Sequence, residues 1–180
     1  NENDRCYFCK RFLFGIMLKR IQEIGIPVLI DGSNADDLGD YRPGMRALSE
    51  LCIKSPLLEL GFTKEEIRMA SRELKLPTWD RQSFACLASR FPYGERITPE
   101  LLERTWKAES ILREIGLRQY RVRNHGDIAR IELDSSGIST ILGDPGLRER
   151  ISESLKELGY RYITLDLQGY RTGSMNETLR

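Results

Sequence analysis

Histidine is almost missing from this chain: His125 is the only one in 180 residues. That excludes metal centres built from several histidines and makes any Ser-His-Asp triad depend on one residue. Its position reads as a surface or strand end with no catalytic role. Cysteine is scarce too. Cys6, Cys9, Cys52 and Cys86 are unevenly spread, with none in the last 94 residues, which argues against a secreted disulfide framework. No apolar run approaches the length of a membrane span, and no signal-peptide pattern opens the chain. A cytoplasmic protein with no membrane partner is expected. Charge of one sign is not in excess: the net charge is +1 although 31% of residues are charged. A basic surface for nucleic acid therefore has no support in composition. Internal repeats and low-complexity segments are absent. The length allows one domain or two small ones.

What is present is sulfur in two places. Cys6-Tyr-Phe-Cys9 lies near the start, and Cys86 lies in Ser83-Phe-Ala-Cys-Leu-Ala-Ser-Arg-Phe-Pro-Tyr-Gly94. Three thiols with no histidine nearby make a poor structural zinc site, which takes four closed ligands. They suit an open site instead, either a catalytic thiol or three ligands of an iron–sulfur cluster with one iron left free. A lone Cys-x-x-Cys is weak evidence, and here there is no room for the strand that precedes a thioredoxin-type motif unless one lies upstream of residue 1. Cys52 falls at buried-type helical spacing and reads as a small core residue.

The periodicity predicts a helix from an Asp4 N-cap to about Glu23, with Cys6 and Cys9 on one face of its first turn. Partial positive charge at that helix end favours negative sulfur. Ile26–Ile30 reads as a buried parallel strand, and the Asn-, Asp- and Gly-rich loop from Gly32 to Gly44 follows it. In open α/β sheets such loops bind ligands, although a solvated turn is the competing reading. A helix over 43–51, a strand-like stretch at Ile53–Leu57 and a helix opened by the Thr63–Glu66 capping box follow, the last with Ile67, Ala70 and Leu74 inward. Residues 1–80 thus read as the later part of a doubly wound α/β domain.

Thr78–Arg96 shows no periodicity and holds Cys86, Ser89, Arg90 and Tyr93, with Phe84, Leu87 and Phe91 as anchors. A loop of this length is read as functional. A helix from Thr98 to about Ile115, strands at Gln119–Arg123 and Asp127–Leu133, a helix from Pro145 and a strand at Tyr160–Leu167 make residues 81–180 a small α+β domain. Arg121 and Arg123 lie two apart on one strand and so share a sheet face. Side by side they repel unless an anion sits between them, and a phosphate or carboxylate is the natural partner. The alternative is that both face solvent or pair with Glu132. Arg171, beyond the last strand, is placed to join the same site.

Several blocks then coincide: Asp4-Arg-Cys-Tyr-Phe-Cys-Lys10, Asp31-Gly-Ser-Asn-Ala-Asp-Asp37, Asp40-Tyr-Arg-Pro-Gly44, Ser55-Pro-Leu-Leu58, Ala85-Cys-Leu-Ala-Ser-Arg-Phe-Pro-Tyr-Gly94, Arg121-Val-Arg123, Asp127-Ile-Ala-Arg-Ile-Glu132 and Leu165-Asp-Leu-Gln-Gly-Tyr-Arg171. Together they resemble the LarE family, ATP-dependent sulfur transferases of the pyrophosphatase-loop (PP-loop, N-type ATP pyrophosphatase) superfamily. The resemblance implies sulfur insertion into a pyridinium dicarboxylate mononucleotide, a step toward the nickel-pincer nucleotide of lactate racemase. ATP with Mg²⁺ adenylates a carboxylate, and sulfur displaces AMP. Some members give up one cysteine's sulfur and keep dehydroalanine; members with three cysteines hold a [4Fe–4S] cluster.

On that resemblance Cys6, Cys9 and Cys86 would be cluster ligands, Cys86 the catalytic position, and Arg121, Arg123, Arg90 and Arg171 substrate contacts. It also implies a sulfide donor and a homo-oligomer, a hexamer in the family. The family's Ser-Gly-Gly-x-Asp-Ser loop does not occur here, so these 180 residues are expected to begin inside the ATPase domain and to lack ATP hydrolysis by themselves. A PP-loop tRNA thiolase, or a non-catalytic zinc module using the three cysteines, are the competing readings.

Overall fold

The computed structural model describes residues 1–39, 42–81 and 85–171. Asp40, Phe84 and the tail from 172 to 180, all touched by the sequence reading, lie outside the described residues. The fold class is α/β, seven α-helices and three strands among the described residues, in two compact units. One is Glu2–Gln82; the other is Ser83–Arg180 together with Asn1.

In the first unit α1 spans Arg5–Glu23 and α2 spans Gly44–Glu50. Tyr7 is the one buried residue of α1 and fixes it against α2. Its hydroxyl donates to Glu50 at 2.7 Å and accepts from Arg11 at 3.0 Å, while the Arg46 guanidinium lies 3.9 Å from the ring centroid. Gly44 allows the close approach: a Cβ there would stand 2.8 Å from Lys10 Cδ and 3.3 Å from the Cys6 carbonyl.

Four expectations for this unit fail. The buried strand at Ile26–Ile30 is a single parallel bridge, Ile30 to Lys54, and Ile26, Val28 and Ile30 are exposed. One bridge is too short to form a sheet face that could be covered. The other stretch, Ile53–Leu57, passes from that bridge into α3 (Pro56–Glu59), with Pro56 at the first helical turn, where proline is favoured. Cys52 is exposed rather than core, because the chain leaves α2 through it at φ +53°. The helix α4 (Lys64–Glu73) has its capping box, Thr63 N–H to Glu66 at 2.8 Å and Glu66 N–H to Thr63 Oγ1 at 3.3 Å. Yet Ile67 is only half-buried, and Ala70 and Leu74 are exposed, since no described element of this unit covers that side.

The second unit is a helix layer on a three-stranded sheet. Strands β1 (Tyr120–His125), β2 (Ile128–Leu133) and β3 (Tyr162–Leu165) run in the order β1-β2-β3, the first pair antiparallel and the second parallel. Gly126 at φ +60° opens the two-residue hairpin turn. Period-two alternation sends Tyr120, Val122, Ala129, Ile131 and Leu133 to one face. There they pack with Ala108 and Leu112 of α5 (Pro99–Glu114), Ile141 of α6 (Ser135–Gly143) and Leu147, Ile151 and Leu155 of α7 (Pro145–Glu157). Leu112, Leu133 and Leu155 are wholly buried, each contributing about 2 kcal/mol of transfer free energy.

The sequence reading missed α6. Its cap is Asp134, whose carboxylate accepts from the Gly137 amide at 2.7 Å, but its apolar residues Ile138, Ile141 and Leu142 span little more than one turn after a Ser-Ser-Gly start that favours helix weakly. The expected last strand shrinks to four residues.

Candidate functional site

With one sheet face covered by helices, the same alternation puts Arg121, Arg123 and His125 of β1 on the other face. Arg130 and Glu132 of β2 join them there, Arg121 opposite Glu132 and Arg123 opposite Arg130. Arg121 and Arg123 are buried, not solvated, and Glu132 is completely buried. The Glu132 carboxylate takes Arg123 at 2.8 Å on one oxygen and Arg130 at 3.0 Å on the other. The pairing weighed as an alternative for Arg123 is therefore present.

Arg121 does something else: it donates to its neighbour's carbonyl, Tyr120 O, at 2.7 Å and lies 5.0 Å from the Tyr170 ring centroid. Burial, and then the charge of Arg90, pull Arg121 below the ordinary arginine value. Arg171 reaches Asp166 at 4.0 Å, and Arg130 Nε stands 3.6 Å from the same carboxylate.

Cys86 stands immediately before the 3₁₀ turn Leu87–Arg90. The thiol is exposed. Arg90 is buried and turned inward: Nε and Nη2 meet both oxygens of Glu109 at 2.7 and 2.9 Å. Its Nη1 donates to the Ala85 carbonyl at 2.8 Å, the Cys86 carbonyl at 3.2 Å and the Ser89 hydroxyl at 3.0 Å. Such a bidentate pair fixes both direction and distance. Glu109 Oε1 also accepts from the Val122 amide at 3.0 Å, and Arg123 Nη1 donates to the Ser89 carbonyl at 2.8 Å. The Cys86 turn is thus tied twice to the strand segment that carries Arg121 and Arg123.

Glu109 is the residue the sequence reading missed. Its signal was available: it sits four residues after Thr105 and three before Leu112, on the buried stripe of α5, where an acid needs a partner. Counted together, this face holds Arg121, Arg123, Arg130 and Arg171 against Glu132 and Asp166, and the Arg90–Glu109 pair beside the outer edge of β1 cancels itself. The cationic excess matches what a phosphate monoester brings.

In the first unit Cys6 and Cys9 lie exposed on α1, one turn apart. The loop after the Ile30 bridge is a polar knot, not a solvated turn. Asp31 accepts from the Ser33 and Ser55 hydroxyls, each at 2.6 Å, with Lys10 at 3.6 Å. Burial pushes the Asp31 carboxyl up, but these hydrogen bonds and the Lys10 charge outweigh it and leave it below the ordinary value. Asp37 is buried, accepts from the Asn34 amide at 3.1 Å and meets Arg42 at 2.9 Å.

Among the described residues no group of three His, Cys, Asp or Glu side chains is gathered as a metal site, and no helix is long and apolar enough to cross a membrane.

No family model matches the chain. Three curated proteins align along almost all of it. A protein of Synechocystis called uncharacterized protein slr1717 is 45% identical over 99% of this chain and 66% of its own length. The pyridinium-3,5-bisthiocarboxylic acid mononucleotide synthase of Lactiplantibacillus plantarum is 38% identical over 99% of this chain and 64% of its own. Uncharacterized protein MJ0830 of Methanocaldococcus jannaschii is 31% identical over 96% and 66%. The chain spans slightly under two thirds of the length of these relatives. Along 99% of its own length the chain is thus similar to the bisthiocarboxylic acid mononucleotide synthase, of which it spans 64%.

Proposed function

We propose that this chain carries the substrate-binding and sulfur-delivering portion of an ATP-dependent sulfur transferase acting on a pyridinium dicarboxylate mononucleotide. One observation carries the reading: a cation-rich sheet face around Arg121 and Arg123, braced to the turn that presents Cys86, in a homologue of a synthase whose product is a pyridinium bisthiocarboxylate mononucleotide. The arginine face would take the substrate phosphate, Arg121 and Arg123 foremost, and so hold a carboxylate of the pyridinium ring near the Cys86 sulfur. Arg90 has its donors turned to Glu109 and the backbone, so its part is to hold the Cys86 turn rather than to touch substrate.

The exposed thiols of Cys6, Cys9 and Cys86 are a donor set of the kind that ligates iron, and these residues would hold a [4Fe–4S] cluster. When bound, the cluster would supply a replaceable sulfide. The 180 residues contain no Ser-Gly-Gly-x-Asp-Ser loop, so no step on ATP or Mg²⁺ is assigned to them.

Titration calorimetry with a pyridine mononucleotide tests the phosphate site. Removing one charge-assisted contact costs about 1.5–3 kcal/mol, so Arg121→Ala should weaken binding about tenfold or more. Arg121→Lys should recover part of the loss, with circular dichroism confirming that both variants are folded. Unchanged affinity in folded Arg121→Ala and Arg123→Ala would place the phosphate elsewhere.

A further inference from the structure

The strand that carries the two arginines ends on the chain's single histidine, which the proposed chemistry does not use. His125 follows Arg123 by two residues and so shares its sheet face, in register with Ile128. Its Nε2 is sealed from solvent and has no hydrogen-bond partner among the described residues. Nitrogen atoms in that situation are uncommon and call for an explanation.

The charges around it are lopsided. Arg123 stands on its own strand, and Arg130 and Glu132 stand on β2, where both arginines already share the Glu132 carboxylate. From β3 the residue in register with Ile128 is Tyr162. At the hairpin turn Arg104 of α5 donates to the Gly126 carbonyl at 2.9 Å, and Arg161 meets Asp127 at 3.3 Å, a pair that cancels itself. Burial first, then Arg130 and Arg123, hold the imidazole below its ordinary value, and Glu132 only partly opposes them.

We propose that His125 is the proton-linked member of the anion site: a dianion bound on the Arg123–Arg130 face drives His125 to take up one proton from solvent, and that proton strengthens the hold on the anion. This rests on the reading of the arginine face as a phosphate site. The cause is charge rather than contact. A third cation beside Arg123 and Arg130 is opposed while Glu132 is shared between the two and Asp166 meets only Arg130 of the pair, and a bound dianion removes the opposition. Proton and anion then raise each other's affinity by the same factor. His125 is in this sense a positioning residue for charge, and the sign is fixed. Affinity should rise as pH falls through the imidazole range, whereas an arginine face acting alone has no titration there.

The lone histidine gives a single imidazole Cε1–H resonance to follow by NMR in the unmodified chain. Sulfate is the probe, a phosphate stand-in whose charge does not change across the titration, with chloride at equal ionic strength as control. Without sulfate the midpoint should lie below the ordinary ~6.5 of histidine. Saturating sulfate should raise it by about one unit, and calorimetry should show sulfate binding about tenfold tighter at the acidic end than at the basic end. In His125→Gln that pH dependence should vanish while sulfate still binds. Sulfate that binds equally at both ends, with the His125 midpoint unmoved, overturns the proton linkage and leaves the arginine site standing. Sulfate that fails to bind at any pH overturns both. The wild-type titration decides the matter even where the variant is unstable.

Discussion

Glu109→Ala should cost about 3–5 kcal/mol of folding stability, the loss expected when one partner of a buried ion pair is removed. Glu109 and Arg90 are both buried and joined by two hydrogen bonds, at 2.7 and 2.9 Å. Without the carboxylate, the Arg90 guanidinium is left charged in the interior, and the Val122 amide loses its 3.0 Å acceptor. Against a typical stability of roughly 5–15 kcal/mol, that is a large fraction. Glu109→Gln keeps an acceptor but no charge and should fall between the two. Urea unfolding of the full chain, read by circular dichroism, gives the three midpoints. A loss below about 1 kcal/mol for the alanine variant would mean that Arg90 finds another counter-charge. Because the Arg90 guanidinium also holds the carbonyls of Ala85 and Cys86, loosening should appear first around Cys86 in hydrogen exchange.

The second expected result is all-or-none. In protein purified without oxygen, alanine at Cys6, Cys9 or Cys86 should abolish bound iron and acid-labile sulfide, because a cluster with three protein ligands does not survive the loss of one. Cys52→Ala should leave both intact, since Cys52 sits exposed at the left-handed exit of α2. Iron, sulfide and zinc per chain settle it: about four irons in the wild type, none in the three variants, and no change in the fourth. Equal loss with Cys52→Ala would mean that the ligand set is drawn wrongly. Zinc with no sulfide would favour the structural zinc reading.

How much of this was legible beforehand depends on what each pattern is made of. The strands of the second unit were readable because Ala129, Ile131 and Leu133 alternate with Arg130 and Glu132, although Glu132 is buried too, on the opposite face. Helix α6 was not, because its Asp134 cap precedes Ser-Ser-Gly and its apolar residues Ile138, Ile141 and Leu142 cover little more than one turn. In the first unit the apolar stretch Ile26–Ile30 looked like a buried strand, yet apolar character states only what would gain from burial, not that a neighbour provides it.

The arginine pair was visible as a pair, since two residues of spacing on a strand fix a common face. What surrounds it was not. Glu109 comes from thirteen residues upstream of the amide it accepts from, and it meets Arg90 from nineteen residues beyond it, separations that no local pattern records. Cys52 erred for a related reason: helical spacing predicted the inner face, but the helix ends two residues earlier.

The most direct measurement is the product itself. The complete natural polypeptide, handled without oxygen, is incubated with ATP, Mg²⁺, sulfide and the pyridinium dicarboxylate mononucleotide, and the mononucleotide is examined by mass spectrometry. The account predicts an oxygen-to-sulfur exchange on a carboxylate, AMP formed with it, and neither product change nor exchange in Cys86→Ala. An untouched mononucleotide, or undiminished exchange in Cys86→Ala, would contradict it.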